Sequence, residues 1–337
     1  MNEKKRILLI ATGGTIASVP SEEGLRPAAL EAVQFPGCGQ YEVEILQLLQ
    51  LDSTNIQPEE WSLIARCVYE KRLGFDGVVV AHGTDTMAYT ASVLTFMLPG
   101  LDRPVVLTGA QLPAAHPLSD AQTNLQCAFA MAAAGAPGVF IAFDRKVFLG
   151  CRAVKVRTVG FHAFESVNLP AVGTQSAYGL SLRRGLIPVP DGPCRLEDRI
   201  SSQAALVKLI PGADPRLFRA YGDLGCRGLV VEAFGAGGVS FVRRDVTAEL
   251  RRLVERGVTV AVCSQCLYEP ANLTAYEVGR RALAGGVLSA GDMTTEAAVT
   301  KLMWLLGQDL PPEALRSAFL RNLHGELGGS PLWDGQT

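Results

Sequence analysis

Four short polar clusters in this 337-residue chain carry residue types that do chemistry: Thr12-Gly13-Gly14-Thr15-Ile16-Ala17, Asp52-Ser53-Thr54, His82-Gly83-Thr84-Asp85-Thr86 and Thr108-Gly109-Ala110-Gln111. In the first, paired glycines let the backbone approach a ligand and turn N–H groups toward one point, with the Thr15 hydroxyl immediately after. That suits an oxyanion or a phosphate. The loop lacks the GxxxxGK signature of a P-loop, and no GxGxxG follows the strand. In the third cluster, two Thr hydroxyls and the Asp85 carboxylate lie beside a predicted helix start. Such a place fits an amino-acid zwitterion, its carboxylate on N–H groups and hydroxyls and its ammonium on Asp85. The plainer reading makes Thr84 a helix cap and Asp85 a dipole partner. Lys155, in Arg152-Ala153-Val154-Lys155, reads as a solvated surface lysine. Held near a Thr and an Asp, it would instead act as a base or activate a hydroxyl.

These clusters need strands to position them. Ile7 to Ala11 is a wholly apolar run entering the first loop, as a buried parallel strand does. Gly77 to Ala81, Pro104 to Thr108 and Gly138 to Phe143 repeat the pattern. Helices are predicted between them: one opening at Pro58-Glu59-Glu60, one over Asp85 to Leu98, one around Asp120 to Ala133. Strands separated by helices imply an α/β fold with a mostly parallel sheet flanked by helices. In open sheets of this kind ligands sit beyond the carboxyl ends of the strands. Leu186 to Ala204, with Pro188, Pro190, Gly192 and Pro193, breaks the pattern. The expected organisation is therefore residues 1–185 as a larger catalytic α/β domain, 186–204 as linker and 205–337 as a smaller parallel α/β domain. In the latter, Gly228 to Phe234 and Thr259 to Cys263 read as strands. Val246, Leu250, Leu253 and Val254 line a helix closed by Gly257. Val299, Leu302, Met303 and Leu306 line another, and Gly328 to Thr337 reads as a loose tail.

Composition narrows the function classes. Hydrophobic residues make up 48% and the formal charge is −2, which leaves no basic footprint for nucleic acid and no polybasic run for a membrane surface. Gly numbers 35, about a tenth of the chain. The charged N-terminus before Ile7-Leu8-Leu9-Ile10 imitates a signal peptide, but Gly13-Gly14-Thr15 interrupts too short an apolar run. The expected location is cytoplasmic. Eight cysteines lie far apart, unlike a disulfide framework. Cys263-Ser264-Gln265-Cys266 forms a CxxC without a second half-site, and His82, His116, His162 and His324 are scattered, so thiols packed as small hydrophobes are expected.

The GGTI and HGTDT loops together, with Asp52-Ser53-Thr54, Thr108-Gly109-Ala110-Gln111-Leu112-Pro113, Ser119-Asp120-Ala121-Gln122-Thr123-Asn124, Gly291-Asp292-Met293-Thr294 and Asn322-Leu323-His324-Gly325-Glu326, resemble the bacterial-type L-asparaginases over nearly the full length. The chain is most similar to their cytoplasmic type I branch. The resemblance implies asparagine hydrolysis to aspartate and ammonia, with no metal and no organic cofactor. It implies Thr15 as nucleophile, with Thr84, Asp85 and Lys155 as a second constellation holding the hydrolytic water. It puts Gly14, Asp52, Ser53, Thr54, Gly83, Thr84, Asp85 and Ala110 around the substrate. It also implies self-association into a homodimer or homotetramer, with a small molecule as the only other partner.

The chain departs from the family at three places. Many members carry an activating Tyr on the loop after the nucleophile; here Ser21-Glu22-Glu23-Gly24-Leu25-Arg26 has none. Tyr276 matches a second-domain Tyr that some type I relatives use, so it is the candidate activator of Thr15, against a plain packing role at a helix start. An Arg of the allosteric site of some type I enzymes is Glu232 here, and a Thr beside the catalytic Lys is Val154, while Cys266 is kept. Weak or no cooperativity is expected. His162 replaces an acid of some relatives, without a physical account. The competing readings are a glutaminase-asparaginase of broader specificity and a non-catalytic amino-acid sensor on the same fold. The related glutamyl-tRNA amidotransferase subunit carries an extra N-terminal domain, and a first strand at Ile7 speaks against it.

Overall fold

A computed structural model describes residues 4–21, 24–27 and 38–328. Glu22 and Glu23 of the Tyr-less loop and residues 329–337 of the expected tail lie outside the described residues. The chain divides into two compact units, Met1–Ser166 with Pro170–Asp198, and Val167–Leu169 with Arg199–Thr337.

In the first unit the strands are β1 (Lys5–Gly13), β2 (Ser18–Ser21), β3 (Gly24–Pro27), β4 (Tyr41–Leu51), β5 (Gly77–Ala81), β6 (Pro104–Thr108), β7 (Gly138–Phe143), β8 (Lys146–Leu149), β9 (Ala153–Lys155), β10 (Phe164–Ser166), β11 (Gly173–Ser176) and β12 (Gly179–Leu182). The helices are α1 (Pro58–Lys71), α2 (Met87–Met97) and α3 (Ala121–Ala133). Eight strands form one sheet in the order β12-β11-β8-β7-β6-β5-β1-β4. From β4 to β7 every pair is parallel. Its central strands are apolar on both faces: Ile7 to Ile10 and Val78 to Val80 are fully buried. Each such side chain contributes roughly 1.5–3 kcal/mol on burial.

The predicted strands and helices are present. The second helix starts at Met87 rather than Asp85, because the residues before it are committed to loop hydrogen bonds described below. Apolar runs did not reveal β4, whose Tyr41-Glu42-Val43-Glu44 alternation marks a half-buried edge strand. Nor did they reveal β8, β11 and β12, which add antiparallel strands of four residues each. The β7–β8 hairpin turns on Asp144 and Arg145, both with positive φ (48° and 59°).

The second unit holds β13 (Ala204–Lys208), α4 (Arg216–Asp223), β14 (Gly228–Ala233), α5 (Val246–Glu255), β15 (Thr259–Ser264), α6 (Glu277–Ala284), β16 (Leu288–Ser289), α7 (Thr295–Gly307) and α8 (Pro312–Leu320). Its four strands are parallel in chain order. Leu229, Val231, Val260 and Val262 bury one face in a core with Phe218, Leu250, Leu253 and Ala282. Gly228 admits α7 closely to the sheet: a Cβ there would lie 2.7 Å from Leu306 and 2.8 Å from Leu302. Between Leu186 and Ala204 the chain forms no helix or strand. No helix among the described residues is long and apolar enough to cross a membrane.

A buried ion pair closes the C-terminal segment onto α7. Lys301 and Glu326 both have fully buried side chains, 2.5 Å apart. Lys301 also donates to the carbonyls of Phe319 and Arg321, at 2.9 and 2.6 Å. Glu326 accepts from the backbone N–H groups of Leu323 and His324. Burial alone would raise the Glu326 carboxyl, but Lys301 and these N–H groups outweigh it and the group is lowered. Glu326→Gln leaves a buried ammonium without its counter-charge, so stability to urea falls by about 3–5 kcal/mol. Because the folded value is depressed, the native stabilisation is complete above the ordinary carboxylate range and is lost as pH falls through that depressed value. The variant loses this part of the acid dependence, which urea titrations at several pH values measure.

Candidate functional site

The connection from β1 leads to β4 on one side, and β5 pairs with β1 on the other. In sheet order the parallel strands read second, first, third, fourth, fifth, so the chain reverses direction at the β1/β5 boundary. That boundary opens a crevice at the carboxyl ends of the strands. The Gly13-Gly14-Thr15 and His82-Gly83-Thr84-Asp85 loops both leave the sheet there.

The loops touch backbone to backbone. A Cβ on Gly14 would lie 2.4 Å from both N and Cα of Gly83, and one on Gly13 2.3 Å from the Leu51 carbonyl oxygen. One on Gly83 would lie 2.6 Å from Ser53 Oγ. Gly14 N donates to Leu51 O at 3.0 Å. Thr12 Oγ1 donates to Ala81 O at 2.9 Å and Thr86 Oγ1 to Ser53 O at 2.7 Å. Gly109 closes the set, since its Cβ would meet His82 O at 2.4 Å. Thr15 emerges half-buried at the first position of a single 3₁₀ turn, Thr15–Ala17. Ser53 is buried, while Thr54 is exposed and held by Asp52, which accepts from Thr54 N at 2.9 Å and Oγ1 at 2.6 Å. Ala110 is buried.

Lys155 is no surface lysine. It ends β9, and its Nζ donates to Thr84 Oγ1 at 2.7 Å and Asp85 Oδ1 at 2.6 Å. Its side chain is 15% exposed against 58% for Asp85, so the carboxylate keeps a face toward solvent. Neither Thr84 nor Asp85 caps α2; its N-cap is Thr86, whose hydroxyl is spent on Ser53. The capping reading of Thr84 therefore gives way to the hydroxyl–ammonium–carboxylate cluster. This arrangement can hold a charged amine on Asp85 and a polarised hydroxyl at Thr84, next to backbone donors of two glycine loops.

Three supporting groups carried no assigned role in the sequence reading. His82 is fully buried, and burial lowers it to about 4, so it is neutral at physiological pH. Its Nδ1–H donates to Gly83 O at 2.7 Å and its Nε2 accepts from Thr90 Oγ1 at 3.0 Å. Thr90 in turn accepts from Trp61 Nε1 at 3.0 Å. Asp120 accepts from the backbone of Gln111 and Leu112, and Asn124 donates to Gly109 O at 2.9 Å. Asp120 and Asn124 stand four apart at the start of a helix, a spacing that puts both on one face and signals a shared target.

Tyr276 belongs to the second unit, at the start of α6, with 67% of its surface exposed. Cys263 is buried on β15 and burial pushes its thiol up to about 12, while Cys266 is exposed. Glu232 accepts from Thr295 Oγ1 at 2.8 Å and faces Lys208. His162 pairs with Asp144. Among the described residues no three His, Cys, Asp or Glu side chains converge as a metal site.

Residues 6–187 match the family described as Asparaginase, N-terminal, and residues 203–319 the Glutaminase/Asparaginase C-terminal domain. The chain is 40% identical to L-asparaginase of Thermococcus kodakarensis, covering 96% of this chain and all of that one. The solved structure of that enzyme superposes with a TM-score of 0.89 over 96% of this chain and 100% of that one. L-asparaginase 1 of Escherichia coli strain K12 is 33% identical over 96% of this chain and 98% of its own. A glutamyl-tRNA(Gln) amidotransferase subunit of Pyrococcus horikoshii is 35% identical, covering 95% of this chain but 76% of its own.

Two glycines differ in what a side chain would cost. Gly257 and Gly14 have similar positive φ (86° and 82°), but a Cβ on Gly257 meets nothing within 4 Å. Gly257→Ala costs about 1 kcal/mol, the backbone term alone. Gly14, whose ψ of 177° places it in a backbone region essentially restricted to glycine, also meets the Gly83 backbone, so Gly14→Ala costs about 2–5 kcal/mol. Thermal denaturation of the two variants side by side checks the difference.

Proposed function

Because the chain belongs to the asparaginase family through both of its matched domains, we propose that it is an L-asparagine amidohydrolase. The observation that carries this reading is the bridge of Lys155 Nζ to Thr84 and Asp85 (2.7 and 2.6 Å) beside the glycine loop that presents Thr15.

In this reading Thr15 attacks the side-chain amide carbon of asparagine, assisted by the Tyr276 hydroxyl. Backbone N–H groups of the glycine loops stabilise the tetrahedral oxyanion, each worth a few kcal/mol. The C–N bond breaks and ammonia leaves with the transferred proton, giving a β-aspartyl ester on Thr15. A water held by Thr84 then cleaves the ester, returning the proton to Thr15 and releasing aspartate. Splitting amide hydrolysis into two acyl transfers lowers each barrier. Ser53 and Thr54 take the substrate's α-carboxylate and ammonium ends, together with the exposed face of Asp85. Gly14, Gly83 and Asp52 shape that pocket, and Ala110 lines it near the leaving amide. A cytoplasmic location is proposed from the resemblance to the type I branch. A homodimer or homotetramer is proposed from the resemblance.

Ammonia release from asparagine tests the reading directly. Thr15→Ala and Thr84→Ala abolish it, and Tyr276→Phe lowers turnover. Full turnover by Tyr276→Phe with none by Thr15→Ala would remove Tyr276 from the mechanism. The same assay with glutamine separates a strict asparaginase from a broader glutaminase-asparaginase, since one methylene is worth roughly 10–200-fold. No release from either amide would favour the sensor. Saturation with asparagine is hyperbolic, because Glu232, bonded to Thr295 and facing Lys208, opposes an effector carboxylate; a sigmoidal curve would refute this.

A further inference from the structure

The Thr84 hydroxyl has one proton to donate. Lys155 Nζ already donates into its oxygen at 2.7 Å, so that proton points elsewhere. Its acceptor is Gln111 Oε1, 3.4 Å away. That distance is long, as catalytic hydrogen bonds are in many substrate-free sites. Gln111 is itself fixed on every side. Its backbone N–H donates to the two Asp120 carboxylate oxygens at 3.0 and 3.1 Å. Its Nε2 donates to the carbonyls of Thr158 and Gly160, each at 3.2 Å. A side-chain amide whose NH₂ faces two carbonyls cannot flip without setting oxygen against oxygen, so Oε1 must face Thr84.

We propose that Gln111 is a positioning residue that sets the polarity of the Thr84–Lys155–Asp85 cluster. With its proton on Gln111 and one lone pair on Lys155, Thr84 Oγ1 keeps a single lone pair. It can therefore only accept from a third partner, and the partner that fits is a water whose oxygen is thereby aimed at the ester. Gln111 acts on the second half of the reaction, water attack, rather than on ammonia loss. The inference rests on the proposed assignment of Thr15 and Thr84.

The test compares Gln111→Met, which removes acceptor and donor, with Gln111→Glu, which keeps an oxygen for Thr84 but loses the tether to Thr158 and Gly160. Rapid-mixing ammonia release and mass spectrometry of the quenched protein are read on the full chain. Gln111→Met should turn over roughly five- to tenfold more slowly, as for one lost neutral hydrogen bond on a barrier. It should show a burst of ammonia and a β-aspartyl adduct on Thr15, while Gln111→Glu shows less of both. Equal losses without adduct would reduce Gln111 to a loop tether and overturn the proposal, as would full turnover by Gln111→Met or slow turnover without a burst. Thr15→Ala and Thr84→Ala run alongside: activity in either overturns the underlying assignment, whereas their inactivity beside unaffected Gln111 variants overturns only the role of Gln111.

Discussion

The site depends on one constraint: the carboxyl-end loops of β1, β4, β5 and β6 are packed more closely than side chains allow. Gly14 lies against the Gly83 backbone, Gly13 against Leu51, and Gly109 against the His82 carbonyl. Any Cβ at these points would fall 2.3–2.4 Å from backbone atoms, which have no rotamer with which to give way. Backbone contact of this kind places N–H groups and the Thr15 and Thr84 hydroxyls from different strands around one crevice. It costs side-chain packing and leaves many polar main-chain groups near each other, which the rest of the unit must satisfy.

Much of the neighbouring structure does that. Thr12 donates to the Ala81 carbonyl between the ends of β1 and β5, and Thr86 donates to the Ser53 carbonyl between loops. His82 ties the Gly83 carbonyl back to Thr90 and Trp61, and its neutrality follows from burial. Asp120 and Asn124 hold the Gly109–Leu112 segment from the start of α3. Thr90 on α2 and Asn124 on α3 are side chains of regular structure bonded to loop residues, so the loop geometry there inherits the rigidity of the helices. The buried Lys301–Glu326 pair follows the same rule in the second unit, with every Lys301 donor matched to a named acceptor.

The parallel core was legible because its signals are local. An apolar run ending in Gly-Gly-Thr or His-Gly-Thr-Asp states both the strand and the place where it stops. Edge and antiparallel strands were less legible, since four residues such as Gly173–Ser176 carry no period long enough to read. The cluster residues were visible individually, but their partners were not. Asp120 and Asn124 show a shared helix face, while nothing local in Gln111 or His82 names Thr158 or Thr90.

The amino-acid sequence by itself determined the family, the α/β class and the loops that carry the chemistry, because these rest on residue types within a few positions of one another. Only the tertiary structure decided what those residues meet. Lys155 reaches Asp85 across 70 residues of chain and Thr84 across 71. That meeting follows from the strand order at the β1/β5 reversal and from β9 docking beside it, which periodicity does not encode. The same long-range placement turned Thr84 from an expected helix cap into the acceptor of a half-buried ammonium's hydrogen bond. A hydroxyl's role is set by the donors and acceptors around it, and those come from the fold.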